Sequence, residues 1–322
     1  MSAIQAAEEA AAESALARRG RGGRRGGAGS GRLTRRRRRA GILLSLPAVI
    51  VVAALLAIPI GQAVYYSMTT WNGITATWIG PSAYVTALTD PIFWRVIENN
   101  ALLLLSIPFA IGIPLAIAAL LHEHVRGWRF FRSVYFLPTA ISWVVIGMVA
   151  VQFFALSGLM NKMLRAVGLA ALQPDMLAGQ YSALAELAIT FIWSMLGTNI
   201  IIFLTGMATL DQTLIEAARV DGLSRWQILS RVTVPLLKRF IQFSFVITVI
   251  SAFSALFSLI FVMTNGGPGF GTTTLEFFVY QSAFSQGQFG TGALYGIILF
   301  VIMITVGLVQ LRLIRSEDGE GW

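Results

Sequence analysis

The chain has 322 residues, 56% of them hydrophobic and 12% charged, against about 25% charged in a soluble domain. Its net charge is +9, yet residues 1–40 hold eleven Arg and three Glu, so the basic character belongs to a tail and not to the body. Cysteine is absent, which excludes disulfides, thiolate catalysis and cysteine-ligated zinc.

Residues 1–40 run from an Ala- and Glu-rich stretch through Arg, Gly and Ser to Arg35-Arg36-Arg37-Arg38-Arg39. Such a composition buries no core and reads as a disordered cytoplasmic tail lying on anionic headgroups. Arg21-Gly22-Gly23 and Arg25-Gly26-Gly27 also look like RNA-binding repeats. The topogenic reading is preferred, and no nucleic-acid partner is expected.

From 41 to 322 the chain reads as one transmembrane domain of an all-α membrane protein. Several uncharged runs approach the about 20 helical residues that a hydrocarbon core of about 30 Å requires. Six spans are expected, at Ile42–Tyr66, Asn99–Leu121, Val134–Leu156, Leu184–Met207, Ile241–Met263 and Ala293–Leu313. Pro47, Pro59, Pro108, Pro114 and Pro138 fall in or near the first three. A bundle tolerates them because neighbouring groups satisfy the backbone they free. His122-Glu123-His124 has i, i+2 spacing, which does not bring both rings to one face. It reads as a solvated helix end, and neither metal nor cofactor is expected. Gly292 and Gly296 open the last span with small-residue spacing for close helix packing.

Basic residues set the orientation. With the N-terminus inside, the inner segments carry Arg126, Arg129, Arg132, Arg219, Arg225, Arg231, Lys238, Arg239, Arg312 and Arg315. The outer loops carry only Arg95, Lys162 and Arg165, so both termini are expected in the cytoplasm.

The inner loop between the fourth and fifth spans is the most informative segment. Asp211 is a candidate N-cap for a short helix through Glu216 to about Val220. Asp221-Gly222 supplies a turn in which glycine is free to take positive φ. Ser224 and Gln227 make a capping box for a second helix, and Pro235 ends that helix or starts the next span. Small Ala217 and Ala218 beside Leu214 and Ile215 form a knob for a groove on a partner.

The order Glu216-Ala217-Ala218, then Asp221-Gly222, Ile228, Val232 and Pro235 resembles the EAA loop of the membrane-spanning subunits of binding-protein-dependent ABC importers. A second stretch follows the fifth span on the outer side. Asn265-Gly266-Gly267-Pro268-Gly269, then Thr272-Thr273-Thr274-Leu275 and Tyr280, resembles the maltose-type sugar permeases. The resemblance covers about residues 99–313. Leu223, Val234 and Arg239 depart mildly from the family's pattern.

The resemblance implies a permease subunit, not an enzyme, in a bacterial inner membrane. Its implied partners are a second permease, two cytoplasmic ATPase subunits and an extracytoplasmic substrate-binding protein, in a membrane lipid environment. Glu216, Ala217, Ala218, Asp221, Gly222 and Pro235 would couple to the ATPase, which would hydrolyse ATP on its own chain. Asn265, Gly266, Gly267 and Pro268 would meet the binding protein. The cargo would be a small oligosaccharide or a related polyol such as a glycerol phosphate.

Candidate cargo contacts lie on the fifth span, where Phe253 and Phe257 share a face, as do Ser251, Ser254 and Ser258. Asn199, on the fourth span, requires a partner at that depth, either cargo or another helix. The alternative is an ion-coupled secondary transporter, for which Glu98 and Glu186 are the nearest candidate carboxylates. A third reading is a membrane-tethered nucleic-acid binder.

Overall fold

The computed structural model describes residues 30–122, 128–169 and 179–318. The expected tail lies outside the described residues up to position 29, and from Ser30 the backbone is helical. Glu123 and His124 also lie outside them.

Helices follow in the order α1 (Ser30–Tyr66), α2 (Ser82–Thr89), α3 (Pro91–Leu104), α4 (Ile107–His122), α5 (Trp128–Phe136), α6 (Trp143–Phe154), α7 (Leu159–Ala166) and α8 (Gln180–Met207). Then come α9 (Gln212–Val220), α10 (Arg225–Ile228), α11 (Val234–Leu236), α12 (Lys238–Met263), α13 (Leu275–Tyr280) and α14 (Phe289–Asp318). Among the described residues, six helical stretches are long and apolar enough to cross a membrane. They are Leu44–Tyr66, Pro91–His122, Trp143–Ala166, Gln180–Met207, Lys238–Met263 and Phe289–Arg312.

The second and third stretches begin elsewhere than the sequence predicts, each for a local reason. The second starts at Pro91. Asp90 caps it by accepting from the Ile92 N–H at 2.8 Å, and proline fits the first turn because its missing N–H would have no partner there. The third starts at Trp143 and not Val134. Leu137–Ala140 tightens into a 3₁₀ turn around Pro138, and Ser142 then caps α6 through the Val145 N–H.

Contacts divide the chain into residues 1–62 and 63–322. The described part of the first unit is most of α1, with Pro47 and Pro59 inside it. In the second unit α8 is central, packing on α4, α6 and α12. Phe191, Ile200 and Phe203 of α8 meet Leu103 and Ile107 of α3–α4, Ile146 of α6 and Leu256 and Leu259 of α12. Lipid tails are as apolar as these side chains, so close fit and interhelical hydrogen bonds must hold the helices together. A second cluster joins Phe93 and Val96 of α3, Leu275 and Phe278 of α13 and Leu294 and Tyr295 of α14.

The small-residue pair opening the last span is only half used. A Cβ on Gly292 would come within 2.7 Å of the Ala283 Cβ, so glycine is needed there for close approach. Gly296 faces open space.

Candidate functional site

The hairpin between α8 and α12 is built as its sequence predicts. Asp211 accepts from the Thr213 N–H at 3.0 Å and starts α9, and that bond holds its carboxyl below the usual range. At the other end Gly222 takes φ +79°, with its N–H on the Arg219 carbonyl and the Leu223 N–H on the Ala218 carbonyl. This is a Schellman closure, which a residue with a side chain adopts only under strain. Ser224 and Gln227 then form the reciprocal capping box of α10: the Ser224 N–H donates to Gln227 Oε1 at 2.8 Å, and the Gln227 N–H to Ser224 Oγ at 3.4 Å.

Pro235 falls in α11, just after a π turn over Leu229–Thr233. It has no N–H for the Arg231 carbonyl, and the preceding Val234 N–H reaches back five residues to Leu229. The hairpin thus joins α12 through the π turn, one short helical turn and a break at Leu237.

The predicted knob divides in two. Ile215 and Ala218 are buried with Ile228 in a small cluster closed by Leu223 and Val232. That cluster gives the hairpin a core of its own. Leu214, Glu216 and Ala217 face outward, as do Asp221 and Gly222. Two further outward residues are not among the sequence candidates: Val220 is 88% exposed and Trp226 70% exposed. A tryptophan beside an N-cap in a basic loop was the available signal. Leu214, Ala217, Asp221, Arg231 and Pro235 line a shallow groove of about 410 Å³. On the other side a cavity of about 680 Å³ separates the hairpin from the ends of α4 and α8, with Gln212 meeting His122 at 3.4 Å.

At the opposite end of α12, residues 264–274 form a tightly bonded loop. Asn265, Gly266 and Gly269 have φ of +48°, +82° and +59°. Thr273 Oγ1 donates to the Gly266 carbonyl at 3.0 Å and Thr272 Oγ1 to the Gly267 carbonyl at 2.9 Å. From α3, Asn99 Nδ2 donates to the carbonyls of Phe270 and Thr273, both at 2.9 Å. Asn100 Oδ1 accepts from the Leu275 N–H at 2.7 Å. Gln180 at the start of α8 donates to Asn99 Oδ1 at 3.4 Å and accepts from Arg95. Of the four predicted contact residues, Asn265 and Pro268 are exposed, Gly267 is half-buried and Gly266 is buried under Thr273 and Phe277.

The proposed cargo residues do not form one surface. Phe253 is buried in the helix core. Phe257 packs its ring on Phe261, Phe277 and Tyr280. Ser254 is exposed, and Ser251 and Ser258 are half-buried. Asn199 takes the second of its two alternatives, another helix. Its Nδ2 donates to the Ala110 carbonyl of α4 at 2.7 Å and to Thr248 Oγ1 of α12 at 3.1 Å. Its Oδ1 accepts from Ser244 Oγ at 2.9 Å. The amide is fully occupied in tying three helices.

A family model described as "binding-protein-dependent transport system inner membrane component" matches residues 108–317. Among curated proteins, the chain is 32% identical over 273 residues to a probable ABC transporter permease of Pyrococcus horikoshii, covering 84% of this chain and 93% of that one. It is 30% identical over 285 residues to the sulfoquinovosyl glycerol transport system permease SmoG of Agrobacterium fabrum, covering 86% and 90%. It is 29% identical over 263 residues to the multiple sugar-binding transport system permease MsmF of Streptococcus mutans, covering 81% and 90%. Among solved structures, a chain of a bacterial ABC transporter involved in the import of the acidic polysaccharide alginate superposes with a TM-score of 0.73. That match covers 88% of this chain and 99% of the other at 24% identity, which is a likeness of fold.

Proposed function

The chain belongs to the binding-protein-dependent transport system inner membrane components, and from that premise we propose that its inner hairpin is the lever through which ATP hydrolysis on another subunit moves the spans. It is a multi-pass inner-membrane permease subunit of an ABC-type sugar importer, and it transports without catalysing a covalent step.

The observation carrying the lever reading is a capped hairpin with its own small core, fixed between α8 and α12, that leaves Glu216, Ala217, Val220 and Trp226 facing outward. A lever must not bend before it pushes. The Schellman closure, the capping box and the Ile215–Ala218–Ile228 cluster supply stiffness, and the short link through Pro235 carries the force into α12. Glu216 would meet a basic group on the ATPase, while Trp226 and Val220 would fill apolar space beside it.

The partners in this reading are a second permease, two ATPase subunits and an extracytoplasmic binding protein that touches Asn265 and Pro268. Both termini lie in the cytoplasm, as the ten inner against three outer basic residues support. The cargo is an oligosaccharide or related polyol of the maltose-type systems, held on this subunit or its partner. Family membership removes the ground for the ion-coupled alternative.

The test is a pull-down from detergent-solubilised membranes followed by an ATPase assay. Wild type is expected to bring down a nucleotide-hydrolysing subunit. Glu216→Ala, Gly222→Val and Trp226→Ala are each expected to lower its recovery. Loss of an aromatic anchor commonly costs about 2 kcal/mol, or more than tenfold in affinity. Unchanged recovery with all three variants would remove the hairpin from the interface.

A further inference from the structure

We propose that Glu276, Tyr280 and Phe284 form an outer recognition station for a neutral sugar, upstream of the α12 residues considered above. This rests on the sugar-importer reading and names the cargo class within it.

Glu276 and Tyr280 stand one turn apart on α13 and share a face. The helix then widens into a π turn over Gln281–Ser285, where the Gln286 N–H reaches the Gln281 carbonyl at 3.0 Å. Single π turns inside helices recur at functional sites. Here the turn brings Phe284 onto Tyr280, with ring centroids 5.6 Å apart and planes 27° from parallel. Phe284 is 70% exposed, and the Tyr280 hydroxyl donates to no described residue. Gln281 Oε1 is buried without a hydrogen-bond partner in the same turn.

The carboxylate is the informative group. Glu276 is half-buried, and its two oxygens receive the Asn100 amide, at 3.3 Å each, with the Thr274 hydroxyl and its own backbone N–H as further donors. Burial pushes its carboxyl up from the usual range. These donors are all neutral, so the carboxylate has hydrogen bonds but no counter-charge. The charged side chains described on the neighbouring elements are Asp90, Arg95 and Glu98 around α3, Lys238 and Arg239 at the far end of α12 and Arg312 toward the far end of α14. None pairs with Glu276 among the described residues. A half-buried carboxylate held by neutral donors with no cation beside it is costly and points to a functional site.

An exposed ring stacked on a half-buried one, with a carboxylate lacking a counter-charge one turn further back on the same helix, fits a sugar. Its C–H face lies on the rings, and adjacent hydroxyls donate to the carboxylate. An acidic sugar or a phosphorylated polyol would need Arg or Lys in place of Glu276. The ring contacts also continue in both directions. Tyr280 touches Phe257 and Phe261 of α12, and Phe284 leads through Phe289 to Trp71 and Tyr66. The station thus sits on an aromatic track running from the outer loop to the middle of the protein.

The experiment is ATP-dependent uptake by the complete importer in proteoliposomes. The probes are maltotriose, lactose, raffinose, an oligouronate and glycerol 3-phosphate. A neutral sugar is expected to be carried. Glu276→Gln, which keeps the shape and can keep the Asn100 contact, is expected to raise its KM about tenfold. Phe284→Ala is expected to do likewise, while subunit recovery and basal ATPase activity stay at wild-type levels. Uptake of an anionic probe alone, or of no neutral probe by an ATP-hydrolysing complex, would overturn the proposal. So would an unchanged KM in Glu276→Gln, or loss of the second permease from that variant, which would assign Glu276 to the subunit contact. A wild-type chain that recovers no ATPase would instead sink the importer reading itself.

Discussion

Asn199→Leu is expected to lower the thermal midpoint of the solubilised subunit, and Pro114→Ala in the same chain is expected to return part of the loss. Pro114 lies inside α4 and has no N–H to give the Ala110 carbonyl one turn earlier. Asn199 Nδ2 supplies that bond from α8 at 2.7 Å. Its carbonyl takes the Ser244 hydroxyl of α12 at 2.9 Å, and its amide also reaches Thr248.

Single interhelical bonds in membranes average about 0.6 kcal/mol, because the separated helices find other partners. The Ser and Thr hydroxyls can turn back to their own helix. The Ala110 carbonyl cannot, since proline has removed its local donor, and a buried unpaired carbonyl costs about 1–3 kcal/mol. The full loss is therefore placed at about 2–3 kcal/mol, of which Pro114→Ala returns about 1. A double-mutant cycle on thermal midpoints decides it. Equal effects of Pro114→Ala with and without Asn199 would show that the two are not coupled.

Gly266→Ala is expected to disrupt the loop over residues 264–274, and Gly269→Ala to be tolerated far better. Both glycines have positive φ, which costs a side-chain residue about 1 kcal/mol. They differ in what a methyl group would meet. At Gly266 it would lie 2.6 Å from Thr273 Oγ1 and 2.9 Å from the Phe277 ring, whereas at Gly269 nothing lies within 4 Å. Thr273 also donates to the Gly266 carbonyl, so moving it aside breaks a buried bond. The strain and the crowding together place Gly266→Ala at roughly 2–4 kcal/mol. Hydrogen exchange over residues 264–275 reads the loop directly. Equal protection in the two variants would mean that the loop repacks around the methyl group.

Residues that act on their near neighbours were legible in the sequence. The Asp211 cap, the Ser224–Gln227 box and the positive φ at Gly222 all depend on groups within five residues, and each formed as expected. The six apolar stretches were legible because crossing a membrane is a matter of length and composition. Boundaries were less so. Pro138 marked the interruption of the third stretch, but whether the chain kinks through a proline or restarts after it depends on the next good cap, here Ser142.

The sequence by itself therefore determined the membrane class, the six stretches, the hairpin and its caps, and the family resemblance. Only the tertiary structure decided which side of each motif faces out. It put Ala218 inside the hairpin and Ala217 outside, and Gly266 under Phe277 with Asn265 exposed. It also chose helices over cargo for Asn199, through partners 89 and 49 residues away. The same holds for Glu276, whose contact with Asn100 spans 176 residues. Hydrogen bonds and ring contacts act over a few ångströms of space, and residues so far apart along the chain are brought within that range only by the packing of whole helices.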